Sequence, residues 1–159
     1  MRTASQKAPE RAGAPKQPGA QGLLLDTDVL VEIRRERPEP ALVAFLRRRS
    51  HRTLYLSVLS LGQVQAVHTG AGTEQWLDEL CRRFGAHLLP VSAEVSRRWA
   101  GQTILSNPAE SGVIGRGARG GDPVLGLIAA TAAEHDLTVV SGSAEHYRAW
   151  GVPAVDPWE

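Results

Sequence analysis

Apolar residues along this chain alternate between short unbroken runs and runs at helical spacing. Leu23, Leu24 and Leu25 form a run too short for a helix, which reads as a strand buried on both faces, as in a parallel sheet. It breaks at Asp26-Thr27-Asp28, after which Val29, Leu30 and Ile33 recur at helical spacing, with Asp28 or Thr27 available as the cap. A second helix is expected over 38–49, with Leu42, Phe45, Leu46 and Arg49 on one face and Arg47 and Arg48 beside them. Thr53–Ser57 reads as the second strand. Ser60 opens a helix through Val64 and Val67 that Gly70 and Gly72 end. Thr73 caps the next, which carries Trp76, Leu77, Leu80, Cys81 and Phe84 and stops at Gly85.

His87, Leu88 and Leu89 read as a short strand, and Ser92 caps a helix carrying Val95, Trp99 and Ile104. Residues 107–121 read as a Gly-rich loop. Asp122 at N-cap and Pro123 at N1 then open a strongly apolar helix to about Glu134. A strand is expected over 137–141, a short helix over 144–150 and a last edge strand over 152–155. Strands alternating with helices imply a parallel sheet with helices on both faces, the α/β class. Asp26 then lies at the C-terminal end of a central strand, where open α/β sheets build their ligand crevices. Two readings fit it, a functional carboxylate and a turn or capping residue.

Composition changes this picture at one end only. With 42% hydrophobic and 22% charged residues, the 159-residue chain is an ordinary globular sequence, long enough for one domain. Residues 1–21 contain no Val, Ile, Leu or aromatic residue and cannot bury enough apolar surface to offset their ordering entropy. They read as a disordered tail or an upstream start-site extension, with a weak RNA-binding arm as the functional alternative, and 22–159 as the folded domain. Arg2, Lys7, Arg11 and Lys16 against Glu10 give the tail +3, so the remainder carries −2 of the overall +1. Bulk charge therefore argues neither for nor against nucleic acid. The single cysteine, Cys81, excludes an internal disulfide framework and the usual zinc-finger spacings, and points to a reducing cytoplasm. No apolar run approaches the roughly 20 residues that span a bilayer.

Several motifs taken together resemble the PIN-domain proteins of the VapC type. They are Leu-Leu-Asp-Thr-Asp-Val-Leu at 24–30, Leu-Ser-Val-Leu-Ser-Leu-Gly at 56–62 and Leu-Leu-Pro-Val at 88–91. They continue with Arg98-Trp99, Leu-Ile-Ala-Ala-Thr-Ala at 127–132 and Leu-Thr-Val-Val-Ser at 137–141, and close on Val-Pro-Ala-Val-Asp-Pro-Trp-Glu at 152–159. The resemblance covers about residues 22–159. It implies a three-layer α/β/α PIN-like domain with a mainly parallel sheet. It also implies the family reaction, Mg²⁺-dependent endoribonucleolytic cleavage of RNA by toxins of type II toxin–antitoxin pairs.

The same resemblance places acidic metal ligands at four positions, and this chain keeps one. Asp26 is retained, whereas Gln63 stands for a Glu and Leu125 for an Asp. In the loop after the fourth strand, Ser143 stands for a usual Asn and His146 for an Asp. Mg²⁺ is a hard cation that prefers anionic oxygen and gives up its waters reluctantly. Gln63 offers a carbonyl without charge, Leu125 offers nothing, and His146 is a nitrogen ligand better suited to Zn²⁺, Ni²⁺ or Cu²⁺. Asp26 alone would hold Mg²⁺ or Mn²⁺ weakly. Asp28, Asp122 and Glu145 are the candidate compensating acids, although Asp122 before Pro123 also suits an N-cap.

Gly115-Arg116-Gly117-Ala118-Arg119-Gly120 matches a dinucleotide fingerprint in letters, but follows no strand and reads as a flexible loop. His51, His68, His87 and His135 show no ligand spacing. Arg47, Arg48, Arg49 and Arg52 read as a solvated helix face, with RNA contact as the alternative, and the four tryptophans as packing residues. Two functions remain open. One is a metal-dependent ribonuclease with a remodelled site, acting on structured RNA such as tRNA. The other is a non-catalytic PIN domain that binds RNA, a cognate antitoxin or a dimer partner, with no cofactor. The resemblance implies an antitoxin partner and a homodimer in either case.

Overall fold

The computed structural model describes residues 22–106 and 122–159; the expected tail (1–21) and Gly-rich loop (107–121) lie outside the described residues. Five strands, β1 (Gly22–Leu25), β2 (Thr53–Ser57), β3 (Leu88–Leu89), β4 (Thr138–Val140) and β5 (Ala154–Val155), form one sheet in the order β3-β2-β1-β4-β5. Every pairing is parallel. β1 is central because both of its faces are apolar, and all four of its residues are buried. The pleat sends Leu23 and Leu25 to one face and Leu24 to the other.

Helices α1 (Thr27–Ile33), α2 (Pro40–Arg48), α3 (Val58–Val67) and α4 (Ala71–Phe84) cover the first face. Val29, Leu30, Leu42, Phe45, Val64 and Leu77 pack there against Leu23, Leu25 and Leu56. Helices α5 (Ala93–Ser106), α6 (Pro123–Glu134) and α7 (Ala144–Ala149) cover the other, where Ile128, Ala129, Tyr147 and Trp150 meet Leu24 and Val139. The chain steps from β1 to β2 to β3 and then returns to β4 on the far side of β1. Right-handed crossovers in opposite directions deposit their helices on opposite faces, which gives the three layers.

Local differences from the sequence expectation have local causes. The cap of α1 is Asp26, whose carboxylate accepts the Thr27 N–H, rather than Thr27 or Asp28. β2 hands over to α3 without a loop, because Ser57 ends the strand and its hydroxyl accepts the Leu59 N–H; the helix thus starts before Ser60. Gly70, in extended conformation, is the N-cap of α4, so Gly72 lies inside the helix and Thr73 is buried rather than capping. His87 belongs to a 3-10 turn, Gly85–His87, that leads into β3. Asp122 caps α6 as expected, accepting the Val124 N–H at 2.9 Å. All four tryptophans pack into or against the two cores, as expected.

Gly126 marks a close approach of α6 to Trp150 and Trp99. A Cβ there would sit 2.9 Å from the Trp150 ring and 3.0 Å from Trp99 Nε1. Only a glycine lets α6 lie this near α5 and the end of α7. Among the described residues, no helix is long and apolar enough to cross a membrane.

Candidate functional site

In a parallel sheet all strand C-termini lie along one edge, and the chain's change of direction at β1 opens a gap there between β1 and β4. The register sets Leu25 beside Val140, so the residues that follow, Asp26 and Ser141, emerge side by side. Asp28 comes from the first turn of α1, Gln63 from α3, Leu125 from the start of α6, and Ser143 and Tyr147 from the β4–α7 segment. These side chains, with Thr27 and Asp122, line a crevice of about 530 Å³. Val31, Ala66, Val67 and Ile128 supply apolar walls. Val67 is 69% exposed, so the wall on the α3 side is open to solvent.

Of the positions marked by the sequence, Asp26, Gln63, Leu125 and Ser143 share this crevice with two compensating candidates, Asp28 and Asp122. His146 and Glu145 do not. Both are exposed and line a separate pocket with Gly142, Arg148, Asp156 and Glu159. On the single short turn of α7, the side that faces the crevice is taken by Tyr147 instead.

The hydrogen bonds at the floor are specific. Asp26 is only 8% exposed, and its Oδ1 accepts the Thr27 N–H at 2.7 Å. Its Oδ2 accepts two hydroxyls, from Ser141 and from Tyr147, each at 2.8 Å. Ser141 Oγ in turn accepts the Ser143 N–H at 3.0 Å, and its hydroxyl lies 2.8 Å from Asp26 Oδ2 and 3.4 Å from Asp28 Oδ2. Asp28 Oδ1 accepts the Val29 N–H at 2.7 Å, and its Oδ2 accepts the Gly142 N–H at 2.8 Å. The Thr27 hydroxyl donates to Gln63 Oε1 at 2.5 Å, tying α1 to α3.

The electrostatics follow from burial without a cation. Among the described residues, no ion pair involves Asp26 or Asp28. Burial first, and the neighbouring Asp26 charge second, raise the Asp28 carboxyl above its ordinary value; the Gly142 and Val29 N–H bonds offset part of this. Burial, then the charge of Asp26, push the Tyr147 hydroxyl strongly upward, so it stays a proton donor.

The divalent cation that the PIN resemblance implies does not fit this donor set. An Mg²⁺ site needs several anionic oxygens with lone pairs free to face the ion. Here Gln63 and Leu125 bring no charge, Asp122 and Asp28 are engaged with backbone N–H groups, and Asp26 already accepts two hydroxyls at Oδ2 and an N–H at Oδ1. Among the described residues, no group of three or more His, Cys, Asp or Glu side chains is placed to hold a metal ion.

Tyr147 lines the crevice and Ser141 holds Asp26 from behind it, and the sequence alone singled out neither. The available signal was weak: a tyrosine on the apolar face of a short helix needs a partner for its hydroxyl.

No protein-family model matches the chain. It is 27% identical over 146 residues to the VapC ribonuclease Y4jK of Sinorhizobium fredii, a match that covers 86% of this chain and 98% of that protein. Among solved structures, FitAcB from Neisseria gonorrhoeae is 26% identical with a TM-score of 0.65, covering 86% of this chain and 99% of that one. VapBC2 from Rickettsia felis, bound to a DNA fragment from their promoter, shares the fold at 18% identity and a TM-score of 0.56, over 84% and 96% of the two chains. In sequence the chain is similar to a VapC ribonuclease, and in fold to the toxin–antitoxin proteins FitAcB and VapBC2.

Proposed function

We propose that this protein is the toxin-type partner of a cognate antitoxin in the cytoplasm, and that metal-dependent RNA cleavage at its crevice is weakened or lost. The observation that supports this reading is the state of Asp26. It is the one retained acid of the four family positions, and its Oδ2 already accepts the hydroxyls of Ser141 and Tyr147 while its Oδ1 accepts the Thr27 N–H. The likeness to a VapC ribonuclease and to FitAcB supports the toxin–antitoxin setting. A homodimer, and RNA of tRNA-like structure as the bound nucleic acid, belong to this proposal and rest on the PIN-domain resemblance of the sequence.

A second reading rests on a separate observation, that Asp28 and Asp122 line the same crevice as Asp26. In that reading they supply the charge that Gln63 and Leu125 lack, and Asp26 holds Mg²⁺ or Mn²⁺ with their help. Cleavage of structured RNA by the purified protein, with Mg²⁺ or Mn²⁺ and with an Asp26→Ala control, separates the two. The expected result is no cleavage above the control. Metal-dependent cleavage that Asp26→Ala abolishes would establish the compensated nuclease instead.

A further inference from the structure

We infer that the Tyr147 phenol has taken the place of a divalent cation at Asp26, so that a Ser141–Asp26–Tyr147 hydrogen-bonded network, rather than bound metal, closes the floor of the crevice. This rests on the reading that Asp26 marks a former metal position, and adds what now satisfies it.

Three features carry the inference. The first is stoichiometry. A carboxylate oxygen has two in-plane lone pairs, and Asp26 Oδ2 uses one for Ser141 and one for Tyr147, both at 2.8 Å. A cation approaching Oδ2 would have to displace one hydroxyl, and Ser141 is held in place by the Ser143 N–H. The second is burial. Tyr147 is 1% exposed and Asp26 8%, so displacing the phenol breaks a buried, charge-assisted bond. The third is origin. Tyr147 reaches the crevice from α7, the helix whose His146 points instead to the neighbouring pocket. The segment that should deliver a fourth acid thus delivers a neutral donor. A buried carboxylate needs compensation, and charge-assisted hydrogen bonds supply it where no cation does.

The consequence is a block that acid replacement alone does not lift. With Tyr147 in place, Gln63→Glu and Leu125→Asp add charge near an oxygen that is already saturated. With Tyr147→Phe as well, Oδ2 regains a free lone pair in the crevice that positions 63 and 125 also line.

The test is melting temperature and calorimetry against Mn²⁺ for wild type, for Gln63→Glu/Leu125→Asp, and for the triple variant that adds Tyr147→Phe. A site present only in the folded state raises Tm as metal is added. The expected result is a dose-dependent rise, reversed by chelator, in the triple variant alone. Equal Mn²⁺ binding with and without Tyr147→Phe would overturn the inference and leave the weakened-nuclease reading standing, as would a folded triple variant that binds none. Wild-type binding that Asp26→Asn removes would overturn both. Should the triple variant not fold by circular dichroism, the decision passes to a double-mutant cycle. Tyr147→Phe is expected to lower Tm clearly in wild type and much less in an Asp26→Asn background; equal losses would overturn the inference.

Discussion

The Tyr147 hydroxyl donates to Asp26 Oδ2 at 2.8 Å across a sequence separation of 121 residues, joining the last helix to the end of the first strand. The bond is buried and charge-assisted. It links the layer built by α5, α6 and α7 to the residue that caps α1 on the opposite face of the sheet. Stability and site chemistry therefore meet in one contact.

Tyr147→Phe removes only the hydroxyl and keeps the ring in its core. Hydrogen bonds to charged groups contribute about 1.5–3 kcal/mol, so the substitution should destabilise the protein by that order. Urea unfolding should show a lower midpoint with an unchanged slope, since the surface exposed on unfolding is the same. A shift below about 0.5 kcal/mol would mean that water replaces the hydroxyl without loss.

The same bond predicts an alkaline silence. Burial and the Asp26 charge keep the Tyr147 proton in place well above the ordinary tyrosine range. Phenolate absorbance at 295 nm should therefore superimpose for wild type and Tyr147→Phe up to the pH at which the fold is lost. An additional ionising tyrosine in wild type below that pH would contradict the buried geometry.

Asp28 should titrate above its ordinary value of 3.8, because it is buried and faces Asp26. A carboxyl whose folded-state pKa exceeds its unfolded value binds its proton more tightly when folded. Its contribution to stability is thus present below the ordinary carboxylate range and is lost as pH rises through the raised value. Carboxyl-carbon NMR should show the Asp28 midpoint falling in Asp26→Asn, where the neighbouring charge is gone. No change would assign the whole shift to burial.

Gly126→Ala tests the packing behind the crevice. Its Cβ would come within 2.9 Å of the Trp150 ring, closer than such contacts occur, so α6 must move or the indole must turn. Overpacking of this kind costs about 1–3 kcal/mol. A lower unfolding midpoint with altered tryptophan fluorescence is expected; an unchanged midpoint would show that α6 is free to shift.

Removal of residues 1–21, which lie outside the described residues, should leave Tm nearly unchanged, because their composition offers no apolar surface to bury. A large drop would move the domain boundary.

Much of the architecture was legible because its signals are local. The Leu23–Leu25 run marks a doubly buried strand, and Asp122-Pro123 marks a helix start, each within a few residues. The fold class follows from their alternation, and the position of Asp26 at a strand end follows from the break after Leu25. Helix starts near glycine and serine were less legible, because Ser57 or Ser60, and Gly70 or Thr73, are chemically equal candidates until the strand ends and the burial of Thr73 select between them. The missing acids at Gln63 and Leu125 were visible by resemblance alone. What those losses led to was not. Whether His146 or Tyr147 faces Asp26 depends on the rotation of a six-residue helix, and that rotation is set by Tyr147 itself and Trp150 settling into the core formed with Leu24 and Ile128. Sequence spacing determines which residues share a strand or a helix face. Only the packing of one layer on another determines which of them meet, because that choice minimises exposed apolar area over the whole domain and not along any one segment.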